Sequence, residues 1–156
     1  MTSLLAKLRI VTLGNLHEML DAMIDLNSPA AVKQYIRDLG AGIAQIEHAA
    51  NSTEGALRTN KDDLAAAQRV ALTLDEDINA LLTDEDPRND SLALSLQVKL
   101  TAAQARITDL SGIRDQNQTM LDKLNDSIAK LQAKHAQMVT QLESLGAVYD
   151  KQAAIL

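Results

Sequence analysis

Residues 32–57 read VKQYIRDLGAGIAQIEHAANSTEGAL, and apolar side chains recur in this stretch at alternating steps of four and three residues. This heptad spacing places the apolar side chains in one seam along a helix. Only Thr53 and Asn60 interrupt the seam before it ends at Leu81. Its members are Val32, Ile36, Leu39, Ile43, Ile46, Ala50, Thr53, Leu57, Asn60, Leu64, Ala67, Ala71, Leu74, Ile78 and Leu81. The pattern predicts a long helix that buries one stripe against a partner helix.

A second seam follows a polar interruption at residues 84–91, where Asp86-Pro87 and Asn89-Asp90 are typical of a turn. Leucine and valine side chains alternate with other residues over 92–100 as they would in a strand. An isolated strand is unstable, however, and the same residues fit a helix. We therefore predict a second long helix. Its seam consists of Leu100, Ala103, Ile107, Leu110, Arg114, Asn117, Leu121, Leu124, Ile128, Leu131, His135, Met138, Leu142, Leu145 and Tyr149.

These patterns predict an all-α protein in which an N-terminal amphipathic helix precedes a long antiparallel coiled-coil hairpin. We expect the amphipathic helix at 1–26, the first arm at 28–83, an acidic turn at 84–91 and the second arm at 92–156. Asn27-Ser28-Pro29 separates the first two segments, because proline is favoured at the first position of a helix. A turn centred on Pro87 would place Asn60 level with Arg114 and close to Asn117. We expect these polar residues to form one layer that defines the register.

The composition disfavours several classes of function. The 156 residues include no Cys, which excludes thiolate zinc sites and cysteine catalysis. We find no phosphate-binding loop, no catalytic grouping and no metal-ligand spacing of His, so we predict no enzyme, no cofactor and no metal. The net charge of −6 and the 1% aromatic content disfavour nucleic-acid binding. Without a membrane-spanning run or a signal peptide, we expect a cytoplasmic protein, peripheral on the cytosolic face of a membrane.

The first helix carries Lys7 and Arg9 among apolar residues, which is typical of helices that lie in the interface of an anionic bilayer. Leu5, Leu8 and Leu16 would enter the acyl boundary. Two cations contribute only about 1 kcal/mol each near an anionic surface, so stable binding would require many copies side by side. The alternative is that this helix packs back onto the hairpin.

The surface of the hairpin also allows two interpretations. Residues 75–90 contain seven acids and one base, so the turn is acidic. The acidic tip, which comprises Asp84, Glu85, Asp86 and Asp90, is either a solvated turn or a docking site for a basic partner. Apolar residues such as Val70, Leu72, Leu94 and Val98 lie off the seams, which predicts contacts with neighbouring molecules or reflects scattered surface positions.

Several short motifs resemble the phage-shock protein A family, which includes the vesicle-inducing protein of plastids and belongs to the ESCRT-III superfamily. They are Leu4-Leu5-Ala6-Lys7-Leu8-Arg9, Asn15-Leu16, Leu20-Asp21, Asn27-Ser28-Pro29, Ile36-Arg37-Asp38-Leu39 and Asn89-Asp90-Ser91-Leu92-Ala93. The resemblance implies a membrane-stress protein whose hairpins stack into rods or rings. It also implies membrane contact through Leu4, Leu5, Lys7, Leu8, Arg9 and Val11. Family members usually continue past the hairpin, so we expect either a short form or a fragment.

The predicted function is that of a peripheral membrane protein which self-assembles and remodels or protects lipid bilayers. Its expected partners are an anionic membrane and further copies of itself. The alternative is a soluble coiled-coil adaptor or stress-response regulator that binds a protein partner.

Overall fold

A computed structural model describes residues 28–155, without the side chain of Tyr149. Helix α1 spans Pro29–Thr83 and helix α2 spans Arg88–Ile155, and the described residues contain no strand. The two helices form a hairpin, which confirms the predicted all-α class. The alternating stretch 92–100 is helical. The predicted helix at 1–26 lies outside the described residues.

Helix α1 begins where the Ser-Pro pair predicts. The backbone N–H of Ala31 donates to Ser28 Oγ at 3.4 Å, and the N–H of Val32 donates to the Ser28 carbonyl at 3.1 Å. Ser28 therefore satisfies backbone donors that the first turn of a helix would otherwise leave free. Pro29 follows at a position where its missing N–H costs nothing.

Helix α2 begins at Arg88, four residues before the boundary expected from the sequence. The backbone N–H groups of Asn89 and Asp90 donate to the carbonyls of Asp86 and Pro87 at 3.0 and 3.3 Å. These bonds close the first helical turn directly after Pro87, so the connection shortens to residues 84–87. The turn-forming residues Asn89 and Asp90 are thus absorbed into the helix.

The chain divides into two compact units. The terminal unit consists of Met1–Thr53 and Leu121–Leu156, and the tip unit consists of Glu54–Met120. Every seam position predicted from the sequence and described by the structure is buried or half-buried. In the terminal unit the buried apolar residues are Val32, Leu39, Ile46, Ala49, Ala50, Leu124, Leu131 and Met138. In the tip unit they are Leu57, Leu64, Ala67, Ile78, Ala93, Leu100 and Leu110.

Candidate assembly surface

The register of the tip unit is visible in its core. Leu64 and Ala67 pack with Leu110 and Ile107, so residues equidistant from position 87 face each other. This is the register that a turn centred on Pro87 predicts. It places Asn60 and Arg114 at the same level.

Asn60 anchors the two helices of the tip unit through the backbone. Its side chain is 6% exposed, and Nδ2 donates to the carbonyl of Leu110 at 3.3 Å. The amide oxygen Oδ1 is buried without a hydrogen-bond partner. The amide therefore reaches one helical turn from the level of Arg114, and its bond is made to the main chain.

Arg114 and Asn117 are both half-buried on the seam of α2. The Arg114 guanidinium donates to its neighbour Asp115, with Nε and Nη2 each 3.1 Å from Oδ1. The polar layer of Asn60, Arg114 and Asn117 thus remains a prediction, because the described bond of Asn60 is to Leu110 and that of Arg114 is to Asp115.

Two of the four acids at the tip hold the turn. The Asp86 carboxylate accepts from the backbone N–H of Arg88 at 3.0 Å and from Arg88 Nη2 at 2.8 Å. These hydrogen bonds, the side-chain one foremost, lower the pKa of Asp86 and raise that of Arg88. Asp84 accepts from Asn89 Nδ2 at 3.3 Å. Glu85 and Asp90 are exposed.

Large apolar side chains remain in solvent around the tip unit. Leu72, Leu82, Leu94 and Val98 are each at least 60% exposed. The sequence marked Val70, Leu72, Leu94 and Val98 as lying off the seams, and the structure places all four in solvent. An excess of this kind is typical of a surface that another molecule covers.

One face of the tip unit has a shallow, open groove of about 410 Å³. Its lining is mainly small and apolar, with one acid contributed by α1 and one base by α2. The lining residues are Asp63, Ala66, Ala67, Val70, Ala102, Ala103 and Arg106. Neither Asp63 nor Arg106 belongs to the site residues expected from the sequence. The signal that could have found them is their heptad position, because each directly precedes a seam residue.

The described residues contain no group of three or more His, Cys, Asp or Glu side chains arranged to hold a metal ion. Within the same part of the chain, no helix is long and apolar enough to cross a membrane. The predicted membrane-contact residues lie outside the described residues. They are Leu4, Leu5, Lys7, Leu8, Arg9 and Val11.

Comparison with known protein families shows to which family this chain belongs. A family model described as the PspA/IM30 family matches residues 3–154. The chain belongs to the PspA/IM30 family. Membership of this membrane-associated, ESCRT-III-like family confirms the resemblance that the sequence motifs indicated. The PspA/IM30 family is non-enzymatic, and its members generally self-assemble and bind membranes. No curated protein and no solved structure matches the chain.

Proposed function

We propose that this PspA/IM30 protein is a peripheral membrane protein of the cytosolic face that self-assembles through stacked hairpins into rods or rings. In this assembly it remodels or protects the lipid bilayer. The observation that carries the proposal is the family match over residues 3–154 on a chain whose hairpin exposes large apolar side chains. The activity is mechanical and involves no catalysis and no cofactor.

The exposed apolar side chains support the self-assembly. Each helix of a hairpin buries one stripe against the other, and here the two seams account for that stripe. Leu94 and Val98 are 68% and 67% exposed in spite of their size. Covering such residues with a neighbouring copy contributes roughly 25 cal/mol per Å² of apolar surface removed from water.

The N-terminal sequence supports the membrane contact. Leu4, Leu5, Leu8 and Val11 recur at spacings that place apolar side chains along a helix, with the cations Lys7 and Arg9 between them. Because two cations bind an anionic surface weakly, the assembly supplies the avidity by presenting many such segments together.

Electron microscopy of the purified protein, alone and after mixing with anionic vesicles, tests the whole proposal. We expect rods or rings, together with vesicles that are tubulated, engulfed or decorated. Discrete particles beside unchanged vesicles would contradict both the polymer and the remodelling.

Vesicle flotation tests the membrane contact separately. Leu5→Asp and Leu8→Asp place a charge on the apolar side and should abolish binding to anionic vesicles. Ala129→Asp introduces the same charge at an exposed position of α2 and serves as the control, with binding retained. Unchanged flotation of Leu5→Asp and Leu8→Asp would remove the membrane anchor from the proposal.

The exposed acids Glu85 and Asp90 at the tip favour a second candidate, a soluble adaptor that binds a basic surface on a protein partner. In that case the N-terminal segment should resist proteolysis without lipid, because it would pack against the hairpin. Rapid cleavage of this segment in solution, with protection only after vesicles are added, would favour the membrane protein.

A further inference from the structure

The face of the tip unit that contains the groove carries its charges in two separate rows. On α1, Asp63, Val70 and Asp77 are spaced by seven residues, and on α2 the same spacing joins Lys99, Arg106 and Ile113. Positions seven apart lie on the same side of a helix. Since Asp63, Val70 and Arg106 line the groove, Asp77 and Lys99 extend the same face. We call these six residues, with Ala66 and Ala102 of the groove lining, the groove face.

The charges of the groove face have no ion-pair partner within the described chain. Asp63, Asp77, Lys99 and Arg106 are all exposed. The ion pairs among the described residues join Asp86 to Arg88, Arg114 to Asp115 and Asp126 to Lys130. The groove face therefore presents an acidic row on α1 and a basic row on α2 to solvent. One further acid, Asp109, lies seven residues after Ala102 on the same side of α2, outside the basic row.

The opposite face of the tip unit has no such separation. Its corresponding heptad positions are Lys61, Gln68 and Asp75 on α1, and Gln97 and Gln104 on α2. The row on α2 is uncharged, and the row on α1 carries one charge of each sign. The separation of acids on α1 from bases on α2 is therefore absent from the opposite face.

We propose that the groove face binds the groove face of a second copy of this chain, with both tips pointing in the same direction. A twofold axis parallel to the helices lays α1 of one copy on α2 of the other, so each acidic row meets a basic row. The reversed orientation would lay α1 on α1 and face acids with acids. This inference rests on the self-assembly proposed above and specifies one contact within it.

The floor of the groove fits this contact. Ala66 and Ala102 have short side chains, which allow the backbones of two copies to approach closely, and Val70 is 54% exposed between the charged positions. A purely acidic or purely basic partner would leave one of the two rows against like charge. A second copy matches both rows at once.

Two charge-reversed full-length chains test the contact by sedimentation velocity. Asp63→Lys/Asp77→Lys makes both rows basic, and Lys99→Glu/Arg106→Glu makes both rows acidic. Each chain alone should associate about tenfold more weakly than the natural chain or worse. An equimolar mixture should restore association, because the two faces are then complementary. Undiminished association of either chain alone, or no recovery on mixing, would overturn the proposal.

A matched control separates this contact from the effect of overall charge. Asp75→Lys/Glu76→Lys changes the net charge by the same amount as Asp63→Lys/Asp77→Lys, but off the groove face. We expect this control to assemble like the natural chain, with unchanged helix content by circular dichroism. An equal loss in the control would assign the effect to net charge and refute the specific contact.

Disulfide trapping tests the orientation, since the natural chain has no Cys. A Val70→Cys chain mixed with an Ala102→Cys chain should give mainly mixed disulfides, because α1 lies on α2 of the partner. A predominance of disulfides between two Val70→Cys chains would overturn the parallel arrangement. Failure of the natural chain to assemble at all would refute the proposed function, whereas assembly insensitive to these changes would refute only the groove-face contact.

Discussion

Asn60 illustrates how a single residue trades stability for register. Its Nδ2 bonds to the Leu110 carbonyl, while its Oδ1 is buried without a partner. A buried polar atom without a hydrogen bond costs roughly 1–3 kcal/mol. A polar residue on a coiled-coil seam nevertheless favours the one register in which it finds a partner.

We expect Asn60→Leu to raise the free energy of unfolding by roughly 1–2 kcal/mol, because it removes the unpaired oxygen and continues the apolar seam of Leu57 and Leu64. Urea denaturation followed by circular dichroism measures the change. Asn60→Asp should have the opposite effect, since it buries a charge. A lower urea midpoint for Asn60→Leu would show that the single bond to Leu110 outweighs the unpaired oxygen.

Gly55 lies inside α1 at an exposed position, and neither a positive φ nor a close neighbour requires a glycine there. A Cβ added at this residue meets no atom within 4 Å. Gly55→Ala should raise the free energy of unfolding by about 1 kcal/mol, because alanine loses less backbone entropy on entering a helix. Thermal denaturation measures the gain. Gly40→Ala is a second variant for comparison, because its new methyl group would have a neighbour, His135 Nε2, at 4.0 Å. A lower melting temperature for Gly55→Ala would show that the helix does require a glycine at this position.

At the scale of elements, both helices begin with a side chain that satisfies free backbone donors. Ser28 does this for α1, and Asp86 does it for α2 with the further help of its ion pair to Arg88. The turn of residues 84–87 is therefore set by local chemistry, and its acidity is partly structural.

We expect Asp86→Ala to lower the urea midpoint at pH 7, because α2 loses its cap and Arg88 its partner. The pKa of Asp86 in the folded protein is lowered below its ordinary value of 3.8. Its stabilising contribution is thus fully present above that value and is lost as the pH falls through the lowered pKa. The difference between natural chain and variant should therefore vanish in strong acid. A difference independent of pH would show that the carboxylate charge is irrelevant.

Within α1, substitutions on the seam of the terminal unit should lower the free energy of unfolding most. Leu39 is fully buried. Leu39→Ala should lower the free energy of unfolding by roughly 2–5 kcal/mol, because apolar contacts are lost and a cavity is left behind. Urea denaturation measures the loss. Val148→Ala is the control in the same unit, at a side chain that is 51% exposed, and it should change little. Similar losses for both variants would contradict the assignment of the seam as the core.

At the scale of the whole molecule, net charge opposes the contacts that self-assembly requires. The chain carries −6 at pH 7, so copies repel one another at long range. The acidic and basic rows of the groove face act only at short range.

We therefore expect association to strengthen as the pH is lowered from 7 towards the sequence pI of 4.9, where the net repulsion disappears. Sedimentation velocity at several pH values in constant salt measures the average mass. Added salt screens the repulsion at pH 7 and should therefore reduce the difference in average mass between pH 7 and pH 4.9. An average mass that falls towards pH 4.9 would contradict this expectation.

The amino-acid sequence by itself determined the two helices, the seams and the register of the tip unit. These follow from heptad spacing and a turn at Pro87, which are local properties of the chain. Its motifs also indicated the family, which the match over residues 3–154 established. Helix α2 begins four residues before the expected position, because Asn89 and Asp90 suit both a turn and a first helical turn.

Only the tertiary structure decided where Asn60 finds its partner and which charges share a groove. The first depends on the reach of a side chain to a backbone carbonyl 50 residues away. The second depends on the packing of two helices, because Asp63 and Arg106 line one groove only after folding. Periodicity describes one helix at a time, whereas a surface built from two helices exists only once their relative rotation is set by packing.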